Sequence, residues 1–254
     1  MEISPIAVFR SPFDGKFGVP RQSGLAPTLR GRIVFNPPYR DPESLRGLEG
    51  FSHIWIIWEF SLNRTSTDTP SFQRDKTWSP TVRPPRLGGN QRMGVFATRS
   101  PFRPNSLGLS CVEVESIEKT SSEGTVINVL GADICDGTPI YDIKPYIPYT
   151  DCHKDASGGF TSDSEWKPLC VDFPENLKKE FARKAKAPDG GKAGDDIPAL
   201  VDTLSCDPRP RYQDDPEREY GMTFDGVDVR FKVSDGKLTV TAIEKVPKPK
   251  PTEI

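Results

Sequence analysis

The sequence predicts a mainly β protein, and three observations carry that expectation. Its apolar runs are short and rich in β-branched and aromatic residues, as in RGRIVF at 30–35, FSHIWIIWEF at 51–60 and TVINVL at 125–130, the composition of buried strands. Proline supplies 26 of the 254 residues, about twice its usual share of roughly 5%, which disfavours long helices and suits short strands joined by shaped loops. Lastly, VDVRFKV at 227–233 and KLTVTAI at 237–243 flank a Ser-Asp-Gly turn, the clearest hairpin signal in the chain.

In order, ISPIAVF at 3–9 reads as a strand ended by a turn at 10–15, and FGVPRQSG at 17–24 as an extended, proline-stiffened loop. After the strand at 30–35, DPESLRG at 41–47 is one helical turn in which Asp41 caps and Pro42 takes the first helical position. The strand at 51–60 is followed by a polar surface loop over 62–80. MGVFAT at 93–98 and LGLSCVEV at 107–114 are further strands, then 125–130, a turn at 136–139 and an extended segment at 141–146. Residues 151–166 read as a linker, PENLKKEFARK at 174–184 as an amphipathic helix, 185–196 as a flexible stretch and 197–204 as a second helix before the final hairpin. PKPKP at 247–251 is an extended, solvated tail.

A chain of this length buries a substantial core, as one large or two smaller domains. A formal charge of −2 argues against a generally basic surface but leaves room for a local basic face. The five cysteines are odd in number, widely spaced and without CxxC, and no leader segment is read, so reduced thiols and a cytoplasmic location are expected. With only His53 and His153, a zinc site lacks ligands and no metal is expected. Nor does any apolar run approach the roughly 20 residues of a membrane helix.

The stretch 81–113 carries Arg83, Arg86, Arg92, Arg99 and Arg103, with no acidic residue before Glu113. Proline and glycine separate these arginines, which places them on loops, where guanidinium groups can hold a phosphate, a carboxylate or a nucleic-acid backbone. Asp133, Asp136 and Asp142 cluster downstream; they could serve as a metal site, as acid–base groups or as turn caps. His53 could be a ligand, a base or a core histidine. Neither GxxxxGK[ST] nor a strand-linked GxGxxG is present, and GxSxG is absent, so P-loop, Rossmann and nucleophile-elbow chemistry are excluded.

Six ordered motifs resemble the TsaA-like (YaeB, TrmO) family. They are VPRQ at 19–22, RGLEGFSHIW at 46–55, TVRPPRLGGN at 81–90, MGVFATRSPFRPN at 93–105, DGTP at 136–139 and DIKPY at 142–146. The likeness resumes at DPRPRY, 207–212, and DVRFKV, 228–233. It implies a small β-barrel N-terminal domain over 1–150, a smaller α+β C-terminal domain over 165–246 and a disordered tail at 247–254.

It also implies S-adenosylmethionine as cofactor, bound without a Rossmann fold, tRNA as partner, a homodimer, and methylation of N6 of threonylcarbamoyladenosine next to the anticodon. Carried over by position, the cofactor site comprises Pro20, Arg21, Gln22, Ser61, Leu62, Arg99, Leu109, Leu130, Gly131, Ala132 and Asp133. N6 must lose a proton on methylation, and Asp133, a carboxylate at a strand end, is the first candidate to accept it. Arg83, Arg86, Arg92, Arg103, Arg209 and Arg211 would serve the RNA. The sequence departs from the family at Ser61, where many members have His after Phe, and at Ser106, where many have a second proline. Two other readings stay open: an RNA-binding barrel without turnover, and an adaptor docking through its tail.

Overall fold

The computed structural model describes residues 2–63, 79–84, 91–162, 167–186, 194–209 and 215–246. Arg86, Arg211, the tail at 247–254 and most of the loops expected at 62–80 and 185–196 lie outside the described residues.

The fold is mainly β. Strands β1 (Ala7–Arg10), β2 (Arg30–Phe35) and β3 (His53–Glu59) precede two-residue strands β4 (Thr81–Val82) and β5 (Met93–Gly94), followed by β6 (Leu107–Thr120), β7 (Gly124–Leu130) and β8 (Pro139–Pro145). Six of them pair antiparallel in the order β1-β2-β7-β6-β3-β8, and β8 returns to β1 through Ala7↔Ile140, closing the sheet into a barrel. Alternation sets what faces inward: Ile54, Ile56 and Trp58 of β3 are buried, while His53, Trp55 and Ile57 are partly exposed. Trp58 lies opposite Gly108, and a Cβ on Gly108 would stand 2.3 Å from its indole. Only a glycine admits that ring.

The helical turn expected at 41–47 is a 3₁₀ turn, Pro42–Leu45, and the Asp41 carboxylate accepts from the Glu43 amide at 3.0 Å. The strand expected over 93–98 is not formed. Met93 and Gly94 pair with β4, and Val95–Ala97 then turns as a 3₁₀ helix closed by Thr98, whose hydroxyl donates to the Val95 carbonyl at 2.8 Å. A hydroxyl three residues on competes with the ladder for that carbonyl.

After α1 (Pro148–Asp151), the remaining described chain builds a second sheet from β9 (Cys170–Asp172), α2 (Glu175–Lys184), α3 (Ile197–Ser205), β10 (Tyr220–Phe224), β11 (Val227–Ser234) and β12 (Lys237–Lys245). Its strand order is β10-β11-β12-β9, with β9 parallel to β12. Helix α2 has Glu175 in its first turn and Arg183 and Lys184 in its last, complementing the helix dipole, and buries Phe181. Both β10–β11 and β11–β12 turn on Asp-Gly with positive φ at each residue, Asp225 and Gly226, then Asp235 and Gly236, the geometry of type I′ hairpins.

The loop between β1 and β2 belongs to this second core. Phe13 packs edge-on against Phe224 at 5.4 Å between ring centroids, and Phe13, Ala26 and Leu29 are buried with the second sheet rather than inside the barrel. Polar ties reinforce the arrangement. The Asp225 amide donates to the Pro12 carbonyl at 3.0 Å, and Asp202 accepts from the Thr28 hydroxyl at 2.6 Å.

Candidate active site

The site forms at the barrel end where β3 and β7 finish and β6 begins. Beyond β7 the chain turns at Gly131, with φ +76, and is laced to the β1–β2 loop: the Gly24 amide donates to the Gly131 carbonyl at 2.8 Å, and the Gly131 amide to the Leu29 carbonyl at 2.8 Å. A Cβ at Gly131 would sit 3.4 Å from the Gly24 backbone. Glycine here combines a left-handed φ with a close backbone approach.

This turn delivers Asp133 to a buried chain of donors. The Trp58 indole N–H donates to Ser110 Oγ at 2.9 Å, and the Ser110 hydroxyl donates to Asp133 Oδ1 at 2.5 Å. Burial pushes the Asp133 carboxyl above its ordinary range. The Ser110 hydroxyl, the main-chain amides of Asp133 and Ser23, and the Arg99 guanidinium oppose that shift without cancelling it. Arg99 in turn donates from Nη1 to Gln22 Oε1 at 2.6 Å.

Thus Gln22, Arg99 and Asp133, far apart in the sequence, meet in one place, with Leu130, Gly131 and Ala132 as the backbone leading into it. A buried carboxylate with raised proton affinity beside a guanidinium can accept a proton or hold a cation.

The other expected residues are arranged differently. Pro20 is buried, and Arg21 reaches across to the second sheet's side of the molecule, donating to the Arg209 carbonyl at 2.9 Å. Leu109, on the outward face of β6, and Leu62, in the turn Ser61–Asn63 after β3, are exposed. Ser106 takes φ +49, which a proline ring locked near −65° could not adopt, so this loop differs from one with a second proline.

Arg83 is exposed, Arg92 donates to the Thr81 hydroxyl at 2.8 Å, and Arg103 donates to the Thr98 carbonyl at 2.9 Å. Arg209 is largely buried and held bidentate by Asp207 at 2.9 and 3.1 Å. Asp136 turns its carboxylate to the loop after β1 rather than to its own Asp-Gly turn, accepting from the Ser11 amide at 3.1 Å and pairing with Arg10 at 3.6 Å. Asp142 accepts from the Ile143 amide at 2.9 Å and pairs with Lys144 at 3.0 Å. The His53 ring lies beside Tyr146, its Nδ1 2.9 Å from the Ser52 hydroxyl.

Sequence reasoning missed Trp58, Ser110 and the Ser23 amide. Ser110 could have been found: Gly108, Ser110 and Val112 share the inward face of β6, and a lone hydroxyl on a buried face needs a partner.

The chain is similar to known proteins along nearly its whole length. The tRNA-methyltransferase O N-terminal domain matches residues 8–152, and the TrmO C-terminal domain matches 167–246. The tRNA (adenine(37)-N6)-methyltransferase of Escherichia coli is 38% identical over 96% of this chain and 97% of its own. RcsF of Pseudomonas aeruginosa, named as a candidate S-adenosylmethionine-dependent methyltransferase, is 38% identical over 90% of this chain and 91% of its own. The crystal structure of TrmO from Pseudomonas aeruginosa superposes with a TM-score of 0.72 at 30% identity, covering 97% of both chains. Matched in both of its parts and along nearly its whole length, this chain belongs to the TrmO family of tRNA methyltransferases.

Proposed function

We propose that this protein is an S-adenosylmethionine-dependent tRNA methyltransferase that methylates N6 of threonylcarbamoyladenosine next to the anticodon. The observation that carries the reading is the meeting of Gln22, Arg99, Ser110 and Asp133 around one buried carboxylate. The donor set fits the cofactor. The amino-acid tail of the cofactor asks for a cation and an amide, which Arg99 and Gln22 offer; Leu62 and Leu109 offer exposed apolar surface nearby in sequence to the site's strands.

When bound, the cofactor supplies an electrophilic methyl group. The protein's own part is to position, exclude water and take a proton. The ureido-like N6 must lose its proton, and Asp133 is the group that accepts it; burial raises its basicity above that of an ordinary carboxylate. Ser110 and Trp58 fix the carboxylate's orientation, so most of the rate comes from alignment rather than covalent help. Arg83, Arg92 and Arg103 serve the phosphates. The protein acts as a homodimer in the cytoplasm.

The test is incubation of the purified protein with S-adenosylmethionine and threonylcarbamoyl-modified tRNA, followed by nucleoside mass spectrometry. A methyl gain on that nucleoside is expected. Calorimetric binding of the cofactor without methyl transfer would overturn the catalytic reading and leave an RNA-binding barrel.

A further inference from the structure

We infer that the loop spanning 95–103 presents Phe96 and Phe102 as a stacking platform for unpaired nucleobases, an inference that rests on the tRNA reading above. Phe96 is 72% exposed and Phe102 66% exposed. Their exposure is built into a tied loop. Val95 is buried and its amide donates to the Pro80 carbonyl at 2.9 Å. The Thr98 hydroxyl, besides donating to Val95, accepts from the Ser100 amide at 3.3 Å, the Ser100 hydroxyl accepts from the Phe102 amide at 3.2 Å, and Arg103 closes back on the Thr98 carbonyl. Two large rings held outward on a cross-braced loop mark a surface that meets a partner.

Charge says which partner. Residues 81–112 hold five arginines and no carboxylate. In a two-fold dimer built on this patch, each arginine-rich loop would face its own copy, bringing like charges together. RNA reverses the sign: phosphates meet the guanidinium groups while bases lie on the aromatic faces. The position fits a reacting nucleotide's neighbours. Arg99, midway between the two rings in sequence, donates to Gln22 and acts electrostatically on Asp133, which ties the loop that carries both rings to the site. A nucleotide beside an anticodon lies in a single-stranded loop, where neighbouring bases are free to stack on protein.

The test uses the full-length protein and a fluorescent anticodon stem-loop RNA carrying 2-aminopurine beside the target adenosine. Phe96→Leu and Phe102→Leu keep an apolar side chain of similar reach and lose the π face. Each is expected to weaken RNA binding about fivefold or more and to reduce 2-aminopurine quenching, while Phe96→Tyr and Phe102→Tyr retain both. Cofactor affinity should be the same in all four, which shows that they are folded.

Leucine variants that bind RNA like wild type, where wild type binds and methylates, overturn the platform alone. A wild-type protein that binds no tRNA overturns the platform and the function together. A change of molecular mass in light scattering, seen in the leucine double variant, would make the patch a subunit interface and likewise overturn it.

Discussion

Asp133 and Asp225, one in each half of this molecule, are both partly buried and both raised in proton affinity, and opposite surroundings produce the two. Asp133, at the barrel end, is raised by burial, while the Ser110 hydroxyl, two main-chain amides and the Arg99 guanidinium all pull the other way. Asp225, at the β10–β11 turn, is pushed up to about 8 by burial and then by Asp196. There the Asp225 carboxyl hydrogen-bonds the Asp196 carboxylate, with Lys186 the opposing cation and Asp14 a further like charge. Burial raises Asp196 as well; Arg30 and the Asp225 hydrogen bond favour its ionised form, while Asp195 and Glu115 work against it. Asp133 is therefore an acceptor surrounded by donors, as the proton acceptor proposed above must be. Asp225 is a donor held by a second carboxylate, and its proton is structural. A raised pKa alone does not distinguish a reactive acid from an inert one; the sign of the neighbours does.

The largest effect that would break this contrast is on turnover. Asp133→Asn keeps shape and hydrogen-bonding capacity and removes the proton acceptor. Single-turnover methylation should fall by roughly 10²-fold or more with cofactor affinity nearly unchanged. A defect that appears in affinity, and is rescued at saturating cofactor, would make Asp133 a binding group.

Asp225→Asn should leave turnover alone and act on stability. The folded pKa, about 8, lies above the ordinary 3.8, so between those values the folded state holds more protons than the unfolded. Stability is fully present below about pH 4 and falls as the pH rises towards about pH 8. Asparagine cannot ionise, still donates to Asp196 and accepts the left-handed φ of +48. The variant should match wild type in urea unfolding near pH 4 and exceed it by up to about 5 kcal/mol near pH 9. Parallel pH profiles for the two proteins would show that no proton is held in the Asp225–Asp196 pair.

Much of the fold was written locally, and much of the site was not. The strand at 30–35, the helices near 174–184 and 197–204, and the Asp235-Gly236 hairpin follow from patterning and turn chemistry within about ten residues. The same Asp-Gly signal at 225–226 went unread, and with it β10. Strand β9 is only three residues long and owes its place to parallel pairing with β12, which no short window reveals.

Phe13 and Leu29 read as part of the N-terminal half, yet they fill the second core, because burial is decided by which sheet the loop meets. In the site, motif resemblance supplied Gln22, Arg99 and Asp133, and their meeting is seen in the bonds. Ser110 and Trp58 stayed hidden because a serine and a tryptophan in strands look like ordinary residues until the register of β3 against β6 sets them one layer apart.

The smallest expected effect concerns that hidden serine. Ser110→Ala removes the hydroxyl that favours the ionised form of Asp133, so the carboxyl's pKa should rise further. The acidic limb of the single-turnover pH profile, where the acceptor becomes protonated, should then move to higher pH by less than about one unit. At pH values above that limb the rate should return close to wild type, in contrast to Asp133→Asn, whose loss is present at every pH. The substitution also strips the buried Trp58 indole of its acceptor, at a cost of about 1 kcal/mol in stability, so the profile is to be measured well below the unfolding temperature. If the limb moves only in cofactor affinity, Ser110 tunes binding through Asp133. If it does not move at all, the Trp58–Ser110–Asp133 chain is a packing feature, and Asp133's proton affinity is set by burial, the two main-chain amides and Arg99.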